Sequence, residues 1–178
     1  VLSVGLLHWP CLDKNGEEIA TAITNLDLHD LARVCLTYGI DRLYIVHPND
    51  VQLAFARRIM DHWLEGYGGK YNPIRKKAFE VITLVKDLED IKRLTGAYMI
   101  GTSATRMDGC ISWEQARTIA STRDACLVFG TGWGLAPRLL KSLDAVIEPI
   151  SSAGNDFNHL SVRSAVSITI DRIAGGNT

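Results

Sequence analysis

Short apolar runs alternate along this chain with stretches of helical period. Val1–His8 is almost continuously apolar and reads as a buried strand, followed by a turn from Pro10 to Glu18 with Lys14-Asn15-Gly16 at its tip. Asp27–Tyr38 places Leu28, Leu31, Ala32, Cys35 and Leu36 on one helical face, and Gly39 stops the helix. Strands are expected at Leu43–Val46, Val81–Val85, Ala97–Ile100, Ala125–Phe129 and Ala145–Ile147. Helices are expected at Val51–Leu64, Asp87–Leu94, Ser112–Ala120 and from about Leu160 to Ala174. Between them, Gly66–Asn72 reads as a loop and Pro73 as a helix start.

Strands separated by helices imply an α/β fold: a mostly parallel sheet with helices on both faces. Such sheets bind ligands outside the carboxyl ends of their strands. Three segments of unusual composition leave late strands here: Gly101–Thr105 (GTSAT), Gly130–Leu135 (GTGWGL), and Ile147–Ile150 (IEPI) with the loop Ser151–His159. Glycine-rich backbone approaches a ligand closely; such a loop serves an adenine edge or ribose, or equally a phosphate. Neither glycine loop is a Walker A sequence, and neither opens the first helix as a dinucleotide fingerprint does. On this reading alone GTGWGL is equally a tight turn covered by Trp133. Asn25 or Asp27 is an ordinary helix cap, Arg33 an ordinary partner of Asp30 or His29, Ser161 an ordinary cap of the last helix. His8, His47 and His62 show no partner pattern and read as surface or satisfied core residues.

Composition narrows the picture. At 178 residues, with 47% apolar and 22% charged residues, the chain suits one compact soluble domain over 1–178, either whole or cut from a longer protein. No apolar run approaches the roughly 20 residues of a membrane span. The four scattered cysteines have neither disulfide nor zinc spacing, which points to reduced thiols, a cytoplasmic location and no metal. A net charge of −1 argues against a generic basic nucleic-acid coat. One segment runs against that average: Gly66–Lys77 carries Tyr67, Lys70, Tyr71, Arg75, Lys76 and Lys77, a mixture that suits an RNA backbone or a solvated surface loop.

Three motifs taken together resemble a known family. Asp27–Arg33 followed by Gly39-Ile40-Asp41 resembles the first motif of SpoU-type ribose methyltransferases. Asp27 stands where an Asn is usual, and Arg33 holds the Arg position. Leu127–Phe129 leading into Gly130–Leu135 resembles the second motif, without its usual Glu. Ile147–Ile150 followed by Asn158–Val162 resembles the third. They occur in family order and span most of the chain, which is identified on them as a member of the SPOUT (SpoU–TrmD) superfamily, SpoU-like branch.

The resemblance implies a C-terminal deep trefoil knot, a homodimer, and S-adenosyl-L-methionine held by the knot loops. The implied cofactor residues are Thr102 and Ser103; Gly130, Thr131, Gly132, Trp133 and Gly134; Ile147 and Ile150; and His159, Leu160 and Ser161. The implied reaction is ribose 2′-O-methylation of tRNA or rRNA. Arg33 acts as an electrostatic activator, because a guanidinium is a poor base, and Asn25 and Ser161 orient the reactants. RNA recognition by a fused or partner domain is also implied. Two other readings stay open: base methylation at a guanine nitrogen, with Asp156 as the catalytic acid residue, and a non-catalytic module that binds S-adenosylmethionine or RNA.

Overall fold

The computed structural model describes residues 1–152 and 154–176. Its sheet follows from strands that are apolar on both faces. In β1 (Leu2–Leu12), Val4 and Leu6 face one side and Leu7 the other. Leu43 and Ile45 alternate with Tyr44 and Val46 in β3 (Leu43–Val46). In β6 (Ala125–Gly132), Ala125, Leu127 and Phe129 alternate with Cys126 and Val128. Strands buried on both faces need helices above and below, and that forces parallel pairing through crossovers. With β4 (Ile82–Val85), β5 (Tyr98–Gly101) and β7 (Ala145–Val146) the order is β4-β3-β1-β6-β5-β7, every pair parallel. A two-residue β2 (Glu18–Ile19) pairs antiparallel with the end of β1.

One face of the sheet is covered by α1 (Asn25–Thr37), α2 (Asp50–Leu64), α4 (Pro73–Phe79), α6 (Trp113–Thr122) and α8 (Val162–Ala174). Short α3 (Tyr67–Tyr71) packs on α2. The other face is covered by α5 (Leu88–Thr95) and α7 (Pro137–Leu140). Helix ends obey local chemistry: capping boxes open α5 (Asp87, Asp90) and α6 (Ser112, Gln115), Pro73 stands at the start of α4, and Gly39 leaves α1 at φ +70°.

Three sequence expectations change. The first strand does not end at His8 but runs through Pro10, whose peptide bond with Trp9 is cis, to Leu12. Pro10 has no N–H to give, yet its carbonyl accepts from Ala136 N at 3.0 Å, so the strand continues by tertiary pairing. The first helix is capped by Thr24, whose hydroxyl accepts from Asp27 N at 3.1 Å; Asn25 is its first residue and neither Asn25 nor Asp27 caps it. The segment 66–72 forms α3 rather than a loop.

His8 also departs from a satisfied core residue. Its ring is fully buried. Nδ1 donates to Val46 O at 3.3 Å, while Nε2 has no partner among the described residues. His47 lies 5.8 Å away, centroid to centroid; its Nδ1 accepts from Asn49 N, so its Nε2 donates to Thr21 O at 2.9 Å. Burial, with a smaller contribution from His47, pulls the His8 pKa down to about 4. The unfolded chain takes up this proton below about pH 6.5, the folded chain only below about 4, so stability is lost as pH falls through that window. The expected loss is at most about 3 kcal/mol, at about 1.36 kcal/mol per pH unit. Urea unfolding of the wild type and His8→Asn at pH 7 and pH 4 checks it; an equal pH dependence in both removes His8 as the source.

Candidate functional site

The parallel order brings the carboxyl ends of β6, β5 and β7 side by side, and the loops leaving them enclose a cavity of about 670 Å³. That lies within the roughly 300–1,000 Å³ of small-ligand sites. Its fourth wall is the segment Thr21–Asp27 leading into α1.

The glycine loop after β6 is stitched to the end of β1. Trp133 N donates to Leu12 O at 2.9 Å and Leu12 N to Gly134 O at 2.9 Å. The Thr131 hydroxyl reaches Leu7 O at 3.3 Å and bonds the Thr21 hydroxyl. Gly132 and Gly134 take φ of +59° and +100° to make this turn. A Cβ on Gly132 would sit 2.9 Å from Leu12 O, so a side chain there strikes the β1 backbone as well as straining the loop.

Opposite, Thr102 donates its hydroxyl to Val128 O at 3.0 Å, and Ser103 Oγ accepts from Thr105 N at 3.1 Å. Ile147 bonds through its N–H to Gly101 O at 2.9 Å. Asn158 ties the third loop in place: its Nδ2 donates to Ala104 O at 2.9 Å and Ile150 O at 2.8 Å. Glu148 is fixed by Trp113 N at 3.1 Å and Arg106 Nη2 at 2.9 Å. Half-exposed Trp133 meets His159 edge-on at 5.0 Å, and Phe157 lies 5.3 Å beyond His159.

All the residues expected around the cofactor line this one cavity: Thr102 and Ser103, Gly130 through Gly134, Ile147, Ile150, and His159 through Ser161. Ser161 caps α8 through Ser164 N at 3.2 Å while also facing the cavity. The other two catalytic candidates are not in the wall. Asn25 is exposed at the start of α1, and Arg33 is exposed about two turns further, its guanidinium 4.0 Å from Asp30.

Residues that the sequence reading left out of the site now join it. The Asp27 side chain is mostly buried in the wall, and Arg163 Nε stands 3.9 Å from Asp27 Oδ1 and 3.8 Å from Asp30 Oδ2. Arg163 is the second residue of α8, where a cation opposes the helix dipole. That misplaced charge was the signal for an acidic partner elsewhere in the fold. Thr21, Trp113, Glu148 and Asn158 also face the cavity, with no periodicity to announce them, as does Asp156, the acidic residue of the base-methylation reading.

The wall has a definite electrostatic character. Among the described residues it holds three carboxylates (Asp27, Glu148 and Asp156) and no lysine or arginine. Glu148 is paired with Arg106 and Asp27 stands beside Arg163, so among the described wall residues Asp156 is left to favour a ligand carrying positive charge over a phosphate-bearing one.

Known proteins resemble this chain along nearly its whole length. An uncharacterised protein of Aquifex aeolicus is 40% identical over 182 residues, covering 98% of this chain and 88% of that protein. A tRNA (guanine-N(1)-)-methyltransferase of Nitratidesulfovibrio vulgaris is 39% identical over 180 residues, covering 98% of this chain. The chain spans only 42% of that enzyme's length. At 16% identity the fold matches the Aquifex aeolicus TrmH/SpoU tRNA modifying enzyme (TM-score 0.59, 97% of this chain and 73% of that one). It also matches an AdoMet-bound rRNA methyltransferase from Sinorhizobium meliloti (TM-score 0.56, 97% and 55%). Residues 1–175 match the SAM-dependent RNA methyltransferase family as a whole, and the chain belongs to that family.

Proposed function

We propose that this chain methylates a ribose 2′-hydroxyl of tRNA or rRNA, with S-adenosylmethionine held in the cavity between the β5, β6 and β7 loops. The observation that carries the reading is the acidic, phosphate-averse wall, which complements a cofactor that is cationic at sulfur and at its amino group. The lacing of residues 147–158 to residues 101–113 through Glu148, Ile147 and Asn158 supports the knotted path that the SPOUT resemblance implies.

The cofactor supplies an electrophilic methyl group. The backbone of Gly130–Gly134 and the Thr102–Ser103 turn bind and orient it, and Trp133 with His159 excludes water at the mouth. A ribose hydroxyl is a weak nucleophile, and the Asp27 carboxylate in the cavity wall takes its proton. Arg163 holds that carboxylate in place. Arg33, outside the wall of its own chain, reaches the target oxygen or an adjacent phosphate in a site completed across a homodimer. Asn25 stands beside it to orient the RNA, and Ser161 orients from inside the cavity.

Guanine-nitrogen methylation is the second reading. Asp156 in the wall and the likeness to the Nitratidesulfovibrio tRNA (guanine-N(1)-)-methyltransferase favour it. Mapping the methylated atom separates the two.

Calorimetric titration with S-adenosylmethionine, with NAD and ATP as controls, tests the cofactor. Selective micromolar binding is expected, and preference for a phosphate-bearing control sinks the proposal. Gly132→Val is expected to abolish binding by displacing the loop from Leu12; unchanged affinity takes the glycine loop out of the site. Arg33→Ala is expected to leave cofactor affinity within a few-fold and to cost about a hundredfold or more in transfer rate. Asp27→Asn is expected to slow transfer at saturating cofactor by about a hundredfold. A wild-type rate in that variant excludes Asp27 as the proton acceptor.

A further inference from the structure

The segment 66–77 builds a surface that the cavity does not explain. Tyr67 and Tyr71 stand four residues apart on α3, rings stacked at 6.1 Å and 23°, with 73% and 77% of each residue exposed. Ile74 beside them is 82% exposed. Two aromatics and an isoleucine left in water gain nothing for folding. Two glycines hold them outward. A Cβ on Gly68 would lie 2.7 Å from the His62 ring, and one on Gly69 would lie 2.2 Å from Trp63 O. With glycine at both positions α3 lies flush on the end of α2, and the tyrosines face solvent.

The same twelve residues carry four cations and no carboxylate, in a chain of net charge −1. Lys70, Lys76 and Lys77 are exposed and form no ion pair among the described residues. The Lys76 stem lies against α3, 3.3 Å from the Cβ position of Gly69. Arg75 is used differently. It stacks 5.4 Å over Trp63, and its Nη1 donates to His29 Nδ1 at 2.8 Å. His29 is two residues from Asp27 of the cavity wall and one turn from Arg33, so the surface is fixed to the helix that borders the site.

We infer that the Tyr67–Tyr71 pair, flanked by Lys70, Lys76 and Lys77, is a stacking platform for unpaired bases of a single-stranded RNA segment. The inference rests on the RNA methyltransferase reading above and adds where the substrate strand lies. Aromatic faces accept any base, and lysines track the backbone phosphates. Duplex RNA offers phosphates but no free base face.

The test is fluorescence anisotropy of the whole chain, without cofactor, against a short labelled oligouridylate and a hairpin duplex of equal length. The wild type is expected to prefer the single strand. Tyr67→Ala with Tyr71→Ala weakens it by roughly tenfold or more, and Tyr67→Phe with Tyr71→Phe, which keeps the rings, restores it. Lys76→Gln with Lys77→Gln lowers the log–log salt slope by about 1.4. Full affinity in the double alanine variant overturns the platform. So does a fall in sedimentation coefficient for that variant, which makes the patch an interface between copies. Calorimetry with S-adenosylmethionine on the same proteins keeps the readings apart: its failure in the wild type counts against the cavity, and its constancy across variants isolates the platform.

Discussion

The parallel pairing of β1 with β6 is the constraint on which the rest of the molecule depends. Leu2 through Leu7 lie in register with Ala125 through Gly130, and both strands are sealed on both faces. Each fully buried Leu, Val or Phe side chain contributes about 1.5–3 kcal/mol, so this pair cannot slip by one residue without turning the whole pattern inside out. The register also sets the level at which β6 ends while β1 continues. Because β1 runs on to Leu12, the glycine loop has a backbone edge to bond to, and its turn becomes part of the sheet's rim.

From that rim the site follows. Loops from three adjacent strands meet at one height, and Thr21, drawn in through Thr131, closes the side facing α1. The hydroxyls of Thr102 and Ser103 are spent on local backbone bonds, so they fix loop shape more than they reach for a ligand. Asn158 does the same between two loops. The parts free to answer a ligand are backbone edges, carboxylates and aromatic faces.

Charge is sorted rather than abundant. The cavity is acidic, while the cations stand outside it: Arg163 and Arg33 beside Asp27 and Asp30, Arg106 behind Glu148, and the lysines of α3 and α4. A near-neutral total therefore conceals an inner surface suited to a cation and an outer surface suited to a polyanion.

Sequence by itself determined most of the elements and their class, while α3 read as a loop and α7 left no sign. Runs apolar at every position, such as Leu43–Val46, can only be strands covered twice, and the stripe Leu28, Leu31, Ala32 and Cys35 can only be a helix lying on a sheet. It also determined which loops form the cavity, since glycine-rich and polar segments after late strands stand out against apolar surroundings. Tertiary structure decided what no local pattern encodes. It extended β1 through Pro10, because pairing partners far along the chain use that backbone. It moved the cap from Asn25 or Asp27 to Thr24, left Arg33 outside the wall, and set Asp27 inside it beside Arg163. It buried His8 with one nitrogen unmatched. Periodicity reports which face of an element is dry. Which side chains meet across that face depends on crossovers and register, and those are settled only when the whole sheet closes.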